Sequence, residues 1–201
     1  MLKDGRKIRS AVLVSGGGTN LQALLDARGG VIQSAEIALV VSNNPKAYAL
    51  ERAKAAGVPA LTLSARELGG REAFEAELQK TLEQNEIQLI VLAGFLTILS
   101  PAFTQRWDHR ILNIHPALIP AFCGKGCYGL RVHEAALARG VKLTGATVHY
   151  VNGIPDGGEI LLQKAVEEKD AEIALSVLRE QGEEAYLLGE LVEGGERIEL
   201  C

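Results

Sequence analysis

Short β-branched runs alternate along this chain with longer stretches whose apolar residues recur every three or four positions. IRSAVLVS (8–15) predicts a strand, by its Val and Ile content and the glycines that stop it, and TNLQALLDA (19–27) predicts a helix. The alternation then repeats. EIALVVS (36–42) predicts a second strand, KAYALERAKAAG (46–57) a helix closed by Gly57, PALTL (59–63) a third strand and REAFEAELQKTLEQNE (71–86) a helix. IQLIVLAG (87–94) and RILNIH (110–115) predict a fourth and a fifth strand. Continuous apolar strands separated by helices imply a mostly parallel sheet with helices on both faces, the doubly wound α/β architecture. Ligands of such sheets bind beyond the carboxyl ends of the strands. TGATVHYV (144–151) and EILLQKAV (159–166) follow each other closely and predict an antiparallel pair near the C-terminal part, and 170–192 predicts a last helix packed back on the body.

With 201 residues, 47% of them hydrophobic and 23% charged, the chain can bury a core, and no linker, low-complexity tract or repeat divides it. A single domain over 1–201 is expected. The net charge of −4 comes from interspersed acids and bases, which leaves no basic stripe for a nucleic-acid backbone or an anionic membrane. Small-molecule partners are expected, with the chain a monomer or a homodimer. The apolar stretch around IQLIVLAGF is too short to span a bilayer and AVLV too short for the core of a signal peptide, so the expected location is cytoplasmic. Cys123, Cys127 and Cys201 are an odd, sparse set that suits a reducing compartment. Cys123 and Cys127 stand C-x3-C with His115 nearby, but a structural zinc site needs four ligands and no fourth is in view, so no metal is expected.

Between the first strand and the first helix lies SGGGTN (15–20). Glycines there let backbone N–H groups approach a ligand, and a helix N-terminus adds partial positive charge, so a phosphate is favoured. A dinucleotide site would need glycine where Leu21 stands and an acid near Ser42, Asn43 and Asn44, and an ATP-type loop would need Lys-Ser/Thr after the glycines. Neither is present. The plainer alternative is a tight turn with Thr19 as helix N-cap.

In the fifth strand Asn113 and His115 share one face while Ile114 turns toward the core, and Pro116 ends the run. At a strand's carboxyl end, an amide donor and an imidazole can together polarise or protonate one reacting oxygen. VHYVNGIPDGGEI adds Asp156, a carboxylate that can orient His115. Each has a simpler reading: Asn113 capping a turn, His115 a satisfied half-buried residue, Asp156 a turn residue before glycine. No serine or cysteine stands in a nucleophile elbow, so the set points to direct transfer between two bound substrates. The 117–131 segment, with Pro120 and several glycines, is expected to be a loop beside the cleft.

VLVSGGGTNLQAL, VVSNNPKAYALERAKAAGVP, REAFEAEL, VLAGFLTILSPAF, LNIHPALIPAF and GATVHYVNGIPDGGEILLQ together resemble the folate-dependent formyltransferases over nearly the whole chain. The resemblance implies formyl transfer from 10-formyltetrahydrofolate to the amine of glycinamide ribonucleotide in purine biosynthesis, with no metal. It implies a phosphate-binding half (about 1–100) and a folate and catalytic half (about 101–201). By it, Asn113 and His115 stabilise the oxyanion, and Asp156 holds the charged His115 and assists proton transfer. Gly17, Gly18, Thr19 and Asn20 would cradle the substrate phosphate, and Glu183, with Gly182 as a rival, would meet the ribose hydroxyls. Leu96, Thr97, Ile98 and Leu99 would bind the pterin through their backbone, together with Asn113. Val151, Asn152 and Asp156 belong to the segment closing over it, and Arg71 would meet the folate carboxylates. Thr97 replaces a commonly basic residue, Ala117 a usual Ser and Cys123 a common Pro, and GKGCYGLR lengthens the loop. Two relatives with the same trio, a formyltetrahydrofolate deformylase and a tRNA formyltransferase, usually carry an extra domain that this length does not suit. A non-catalytic phosphate-ligand module is the alternative of another class.

Overall fold

In the computed structural model, which describes residues 5–165, the chain alternates as its periodicity predicts. The elements are β1 (Ile8–Val14), α1 (Thr19–Asp26), β2 (Ala35–Ser42), α2 (Ala49–Ala55), β3 (Ala60–Thr62), α3 (Ala65–Leu68), α4 (Arg71–Gln84) and β4 (Leu89–Leu92). They continue with α5 (Pro101–Arg106), β5 (Ile111–His115), α6 (Leu130–Arg139), β6 (Gly145–Tyr150) and β7 (Ile160–Ala165). The strands form one sheet in the order β3-β2-β1-β4-β5-β6-β7. β1 to β5 pair in parallel, and β5–β6 and β6–β7 are antiparallel, as 144–151 and 159–166 predict. The predicted helix at 170–192, Glu183 and Cys201 lie outside the described residues.

Alternate residues of one strand face opposite sides of a sheet, and here each side has its own core. Ala11 and Leu13 of β1 pack with Phe74, Leu78 and Leu82 of α4 and with Phe103 and Trp107 at α5. Val12 and Val14 pack instead with Leu21 and Leu25 of α1 and Ala49 and Ala53 of α2. Phe74, Leu78 and Leu82 recur every four residues on one side of α4 and are fully buried, each contributing roughly 1.5–3 kcal/mol. Helices therefore cover both faces of the β1–β4 region.

Three helices were not anticipated from periodicity, because they are short or sit in glycine-rich surroundings. α5 begins at a local signal: Ser100 caps it, its Oγ accepting from the Phe103 N–H at 3.2 Å, with Pro101 just inside. α6 (Leu130–Arg139) begins on the last two residues of the 117–131 stretch read as loop and buries Val132 and Ala136 beyond it, while α3 spans a single turn. At β5, Ile114 is half-buried and belongs to neither core cluster, so the inward face of that strand is shallower than alternation alone suggests.

Candidate active site

The carboxyl ends of β1, β2, β4 and β5 open on the same edge, and short polar bridges hold their loops together. Ser15 Oγ accepts from the Leu96 N–H at 2.8 Å, and Asn43 Nδ2 donates to Thr97 Oγ1 at 2.7 Å. On the other side of that segment, Glu75 of α4 accepts from the Ser100 N–H at 2.6 Å and also from its hydroxyl. Leu96 and Ile98 project outward, 55% and 59% exposed, while Leu99 turns into the core at 5%. Segment 96–99 is thus an anchored backbone with two apolar side chains offered to solvent. Arg71, the first residue of α4, is exposed on the helix that holds Ser100.

In the glycine loop, Gly18 rather than Thr19 is the cap position of α1, in the left-handed conformation (φ 76°), and no side chain caps the helix. A Cβ at Gly18 would stand 2.6 Å from Ala49 Cβ and 2.9 Å from its Cα, so this glycine answers both to backbone conformation and to a close helix approach. Gly17, Thr19 and Asn20 are exposed beside it. Among the described residues the first N–H groups of α1, at this exposed helix start, find no backbone acceptor, which suits an anion.

β5 carries Asn113 and His115, and its neighbour β6 sets His149 opposite Asn113 and Thr147 opposite His115. Asp156, in the turn after β6, reaches back to both imidazoles: its Oδ2 lies 3.6 Å from His115 Nδ1 and its Oδ1 lies 3.6 Å from His149 Nε2. Both separations are too long for hydrogen bonds, and each becomes an ion pair only when its ring is protonated. Asn113 Nδ2 and His149 Nε2 are 3.1 Å apart, His149 Nδ1 donates to the Tyr150 carbonyl at 2.8 Å, and His115 Nε2 donates to the Phe122 carbonyl at 2.8 Å. In neutral His149 the Nε2 lone pair accepts from the Asn113 amide; once protonated, the same nitrogen becomes a donor toward Asp156. His115 is 3% exposed and Asp156 14%, so the Asp156 carboxylate is only partly screened by water.

Burial is the largest influence on the Asp156 carboxyl and opposes its charge, yet the combined pull of His149, the Gly124 N–H at 2.8 Å and the His115 ring holds it below the usual carboxylate range. The loop thereby grips both partners at once, through the Phe122 carbonyl on His115 and the Gly124 N–H on Asp156. Between those two contacts Cys123 is a free thiol whose Sγ donates to the Pro120 carbonyl at 3.2 Å. Burial, then Asp156 and Cys127, push that thiol up. His133 of α6 is lowered by burial and, second, by the nearby His115. Among the described residues no group of three His, Cys, Asp or Glu side chains has the geometry to hold a metal.

The DGG sequence has a steric cause. A Cβ at Gly157 would stand 2.7 Å from Ile154 Cγ2, and one at Gly158 would overlap the Tyr150 carbonyl oxygen with its carbon at 2.7 Å. Asp156 itself takes a positive φ of 54°, which Asp tolerates better than most residues. Val151 and Asn152 lead into this turn, where Asn152 Oδ1 accepts from the Ile154 N–H at 2.9 Å. The structure thus gathers Asn113, His115 and Asp156 into one cluster. It adds His149, which sequence reading missed although it lies in a predicted strand, two positions from Thr147 on the same face. Pairing β5 with β6 was the missing information, since only that register puts it against Asn113.

Fold and site together define a doubly wound α/β domain whose polar cluster sits at the strands' carboxyl ends, beside an anion-suited glycine loop. Residues 8–187 match the formyl transferase family, and the chain belongs to it. It is 41% identical over 155 residues to a phosphoribosylglycinamide formyltransferase of Escherichia coli, covering 77% of this chain and 71% of that protein. It is 44% identical over 168 residues to a trifunctional purine biosynthetic protein adenosine-3 of Drosophila melanogaster, covering 83% of this chain but only 12% of that much longer protein. Among solved structures, glycinamide ribonucleotide transformylase 1 from Symbiobacterium toebii superposes with a TM-score of 0.74 at 40% identity, covering 87% of this chain and 80% of that one.

Proposed function

We propose that this chain transfers a formyl group from 10-formyltetrahydrofolate to the amine of glycinamide ribonucleotide, in purine biosynthesis and in the cytoplasm. The observation that carries the reading is the continuous polar cluster Asn113–His149–Asp156–His115 at the carboxyl end of β5, in a member of the formyl transferase family. No helix among the described residues is long and apolar enough to cross a membrane.

In the proposed reaction the amine nitrogen attacks the formyl carbon, a C–N bond forms, and the carbonyl oxygen becomes an oxyanion. The Asn113 amide and His115 donate to that oxygen, the kind of stabilisation worth about 10²–10³ in rate per donor. The bond to the folate nitrogen then breaks and the proton lost by the amine passes to the departing nitrogen, with Asp156 assisting its movement. In the structure His115 Nε2–H is committed to the Phe122 carbonyl, so we assign the 117–129 loop the task of releasing that donor when the formyl group arrives. Gly17, Gly18, Thr19 and Asn20 supply the phosphate cradle. The backbone of 96–99 holds the pterin with help from Asn113, Val151 and Asn152, and Arg71 faces the folate carboxylates. The N-terminal half thus binds the phosphorylated substrate and the C-terminal half carries the chemistry, within one domain.

The test is to incubate the protein with glycinamide ribonucleotide and 10-formyltetrahydrofolate and to follow both products by mass. Formylated ribonucleotide is expected in step with tetrahydrofolate release. Formate released without any dependence on the ribonucleotide would replace the proposal with a hydrolase, and no turnover would leave a binding module.

A further inference from the structure

The glycine loop does not hold its own shape; α2 holds it. Gly16 O accepts from the Ala49 N–H at 3.1 Å, and Gly17 O accepts from Arg52 Nε at 2.8 Å. In a planar trans peptide the carbonyl and the following N–H point in opposite directions. Turning these two carbonyls toward α2 therefore turns the N–H groups of Gly17 and Gly18 away from it, and among the described residues neither finds a protein acceptor. Gly18 rests against Ala49, with Arg52 Cδ 3.4 Å from where a Cβ would be, so the α2 contact admits no side chain at this position of the loop.

Arg52 is itself fixed from three sides. Its Nη1 donates to Gln22 Oε1 at 3.0 Å, Gln22 Nε2 donates on to Asp26 Oδ1 at 2.8 Å, and the guanidinium lies 5.0 Å from the Tyr48 ring centroid. Gln22 is in the first turn of α1 and its N–H bonds Gly18 O at 2.9 Å. One planar cation thus ties the loop, the start of α1 and α2 into a single unit, which a lysine cannot do because it lacks the fork. We propose that Arg52 is the positioning residue of the phosphate site, setting the Gly17 and Gly18 N–H groups toward the anion and adding a fixed positive charge behind them. This rests on the reading that the loop binds the substrate's phosphate.

The test uses Arg52→Met and Arg52→Lys in steady-state kinetics with both substrates, and inorganic phosphate as a competitor against the ribonucleotide. For Arg52→Met the ribonucleotide KM and the phosphate inhibition constant should both rise about 10- to 100-fold, the weight of a charge-assisted hydrogen bond. The folate KM and kcat should each move less than about threefold, since binding rather than the transition state is affected. Arg52→Lys should recover part of the loss. An unchanged phosphate constant, or equal losses for both substrates, would overturn the proposal. If Arg52→Met does not fold, Gln22→Leu, which removes the second anchor of the same guanidinium, should show the same split between substrates, and its absence counts equally against Arg52. Wild-type enzyme that makes product but is not inhibited by phosphate removes the phosphate reading, and this proposal with it.

Discussion

Gly158→Ala is the smallest change that should dislocate the site. The added methyl would overlap the Tyr150 carbonyl oxygen and lie 2.7 Å from its carbon and 3.5 Å from the Val151 nitrogen. All three are backbone atoms, so no rotamer relieves the contact. Tyr150 closes β6 and bonds Glu159 O through its own N–H at 2.9 Å, and Val151 bonds Ile111 O at 2.9 Å, so the fixed side of the clash is the sheet. The turn carrying Asp156 must move, by about an ångström, and, for the role proposed for Asp156, a displacement of that size costs about 10²-fold in rate. Overpacking adds a stability loss of about 1–3 kcal/mol. At a position with room and an ordinary φ the same exchange would instead stabilise by about 0.4–1 kcal/mol, so the sign is diagnostic. Gly30→Ala, where the nearest atom is Ala27 O at 3.8 Å, is the control. Turnover of the formyl-transfer reaction and urea denaturation would be measured on both variants. Gly158→Ala with wild-type stability and rate would refute the reasoning that backbone contact at this glycine sets the position of Asp156.

Asn113→Ala should lower kcat about 10²–10³-fold, as loss of one oxyanion donor does, and a change within a few-fold would remove Asn113 from the mechanism. Because the Asp156 carboxyl lies below its unfolded value, its stabilising contribution is present above about pH 3.9 and is lost as pH falls through the folded value. The stability difference between wild type and Asp156→Asn, from urea titrations at neutral and acid pH, should therefore shrink on acidification; a constant difference would contradict it. His133 is shifted the other way in charge terms, its folded form preferring neutrality. Unfolded chains then take up the extra proton first, so stability should fall as pH drops below about 6.5, and His133→Gln should flatten that slope between pH 8 and 5. Parallel slopes for the two proteins would show that another group is responsible.

The periodic segments were legible because a strand or helix with a buried face must repeat its apolar residues at a fixed interval. β1, β2, β4 and α4 declare themselves in that way, and so does the parallel order that runs through them. The trio was legible as residue types, an amide and an imidazole two apart in a strand and an acid before two glycines. The sequence also carried the α5 start, Ser100-Pro101, which a reading based on periodicity passes over in so short a helix. By itself, then, the chain's residue order determined the fold class, the family resemblance and the candidate chemistry.

Tertiary structure alone decided the rest. His149 acquires its place from the register of β6 on β5, and one residue of slip would turn it to the other face. Arg52 is an unremarkable basic residue of an amphipathic helix until α2 packs beside the glycine loop and brings it to a carbonyl 35 residues away. The demand for glycine at 158 comes from a backbone eight residues earlier, which no local rule connects to it. Local propensity acts over a few neighbouring residues. Contacts across the sheet and between α1 and α2 arise only after the chain has closed on itself, and it is those contacts that turn a pattern of residue types into a geometry.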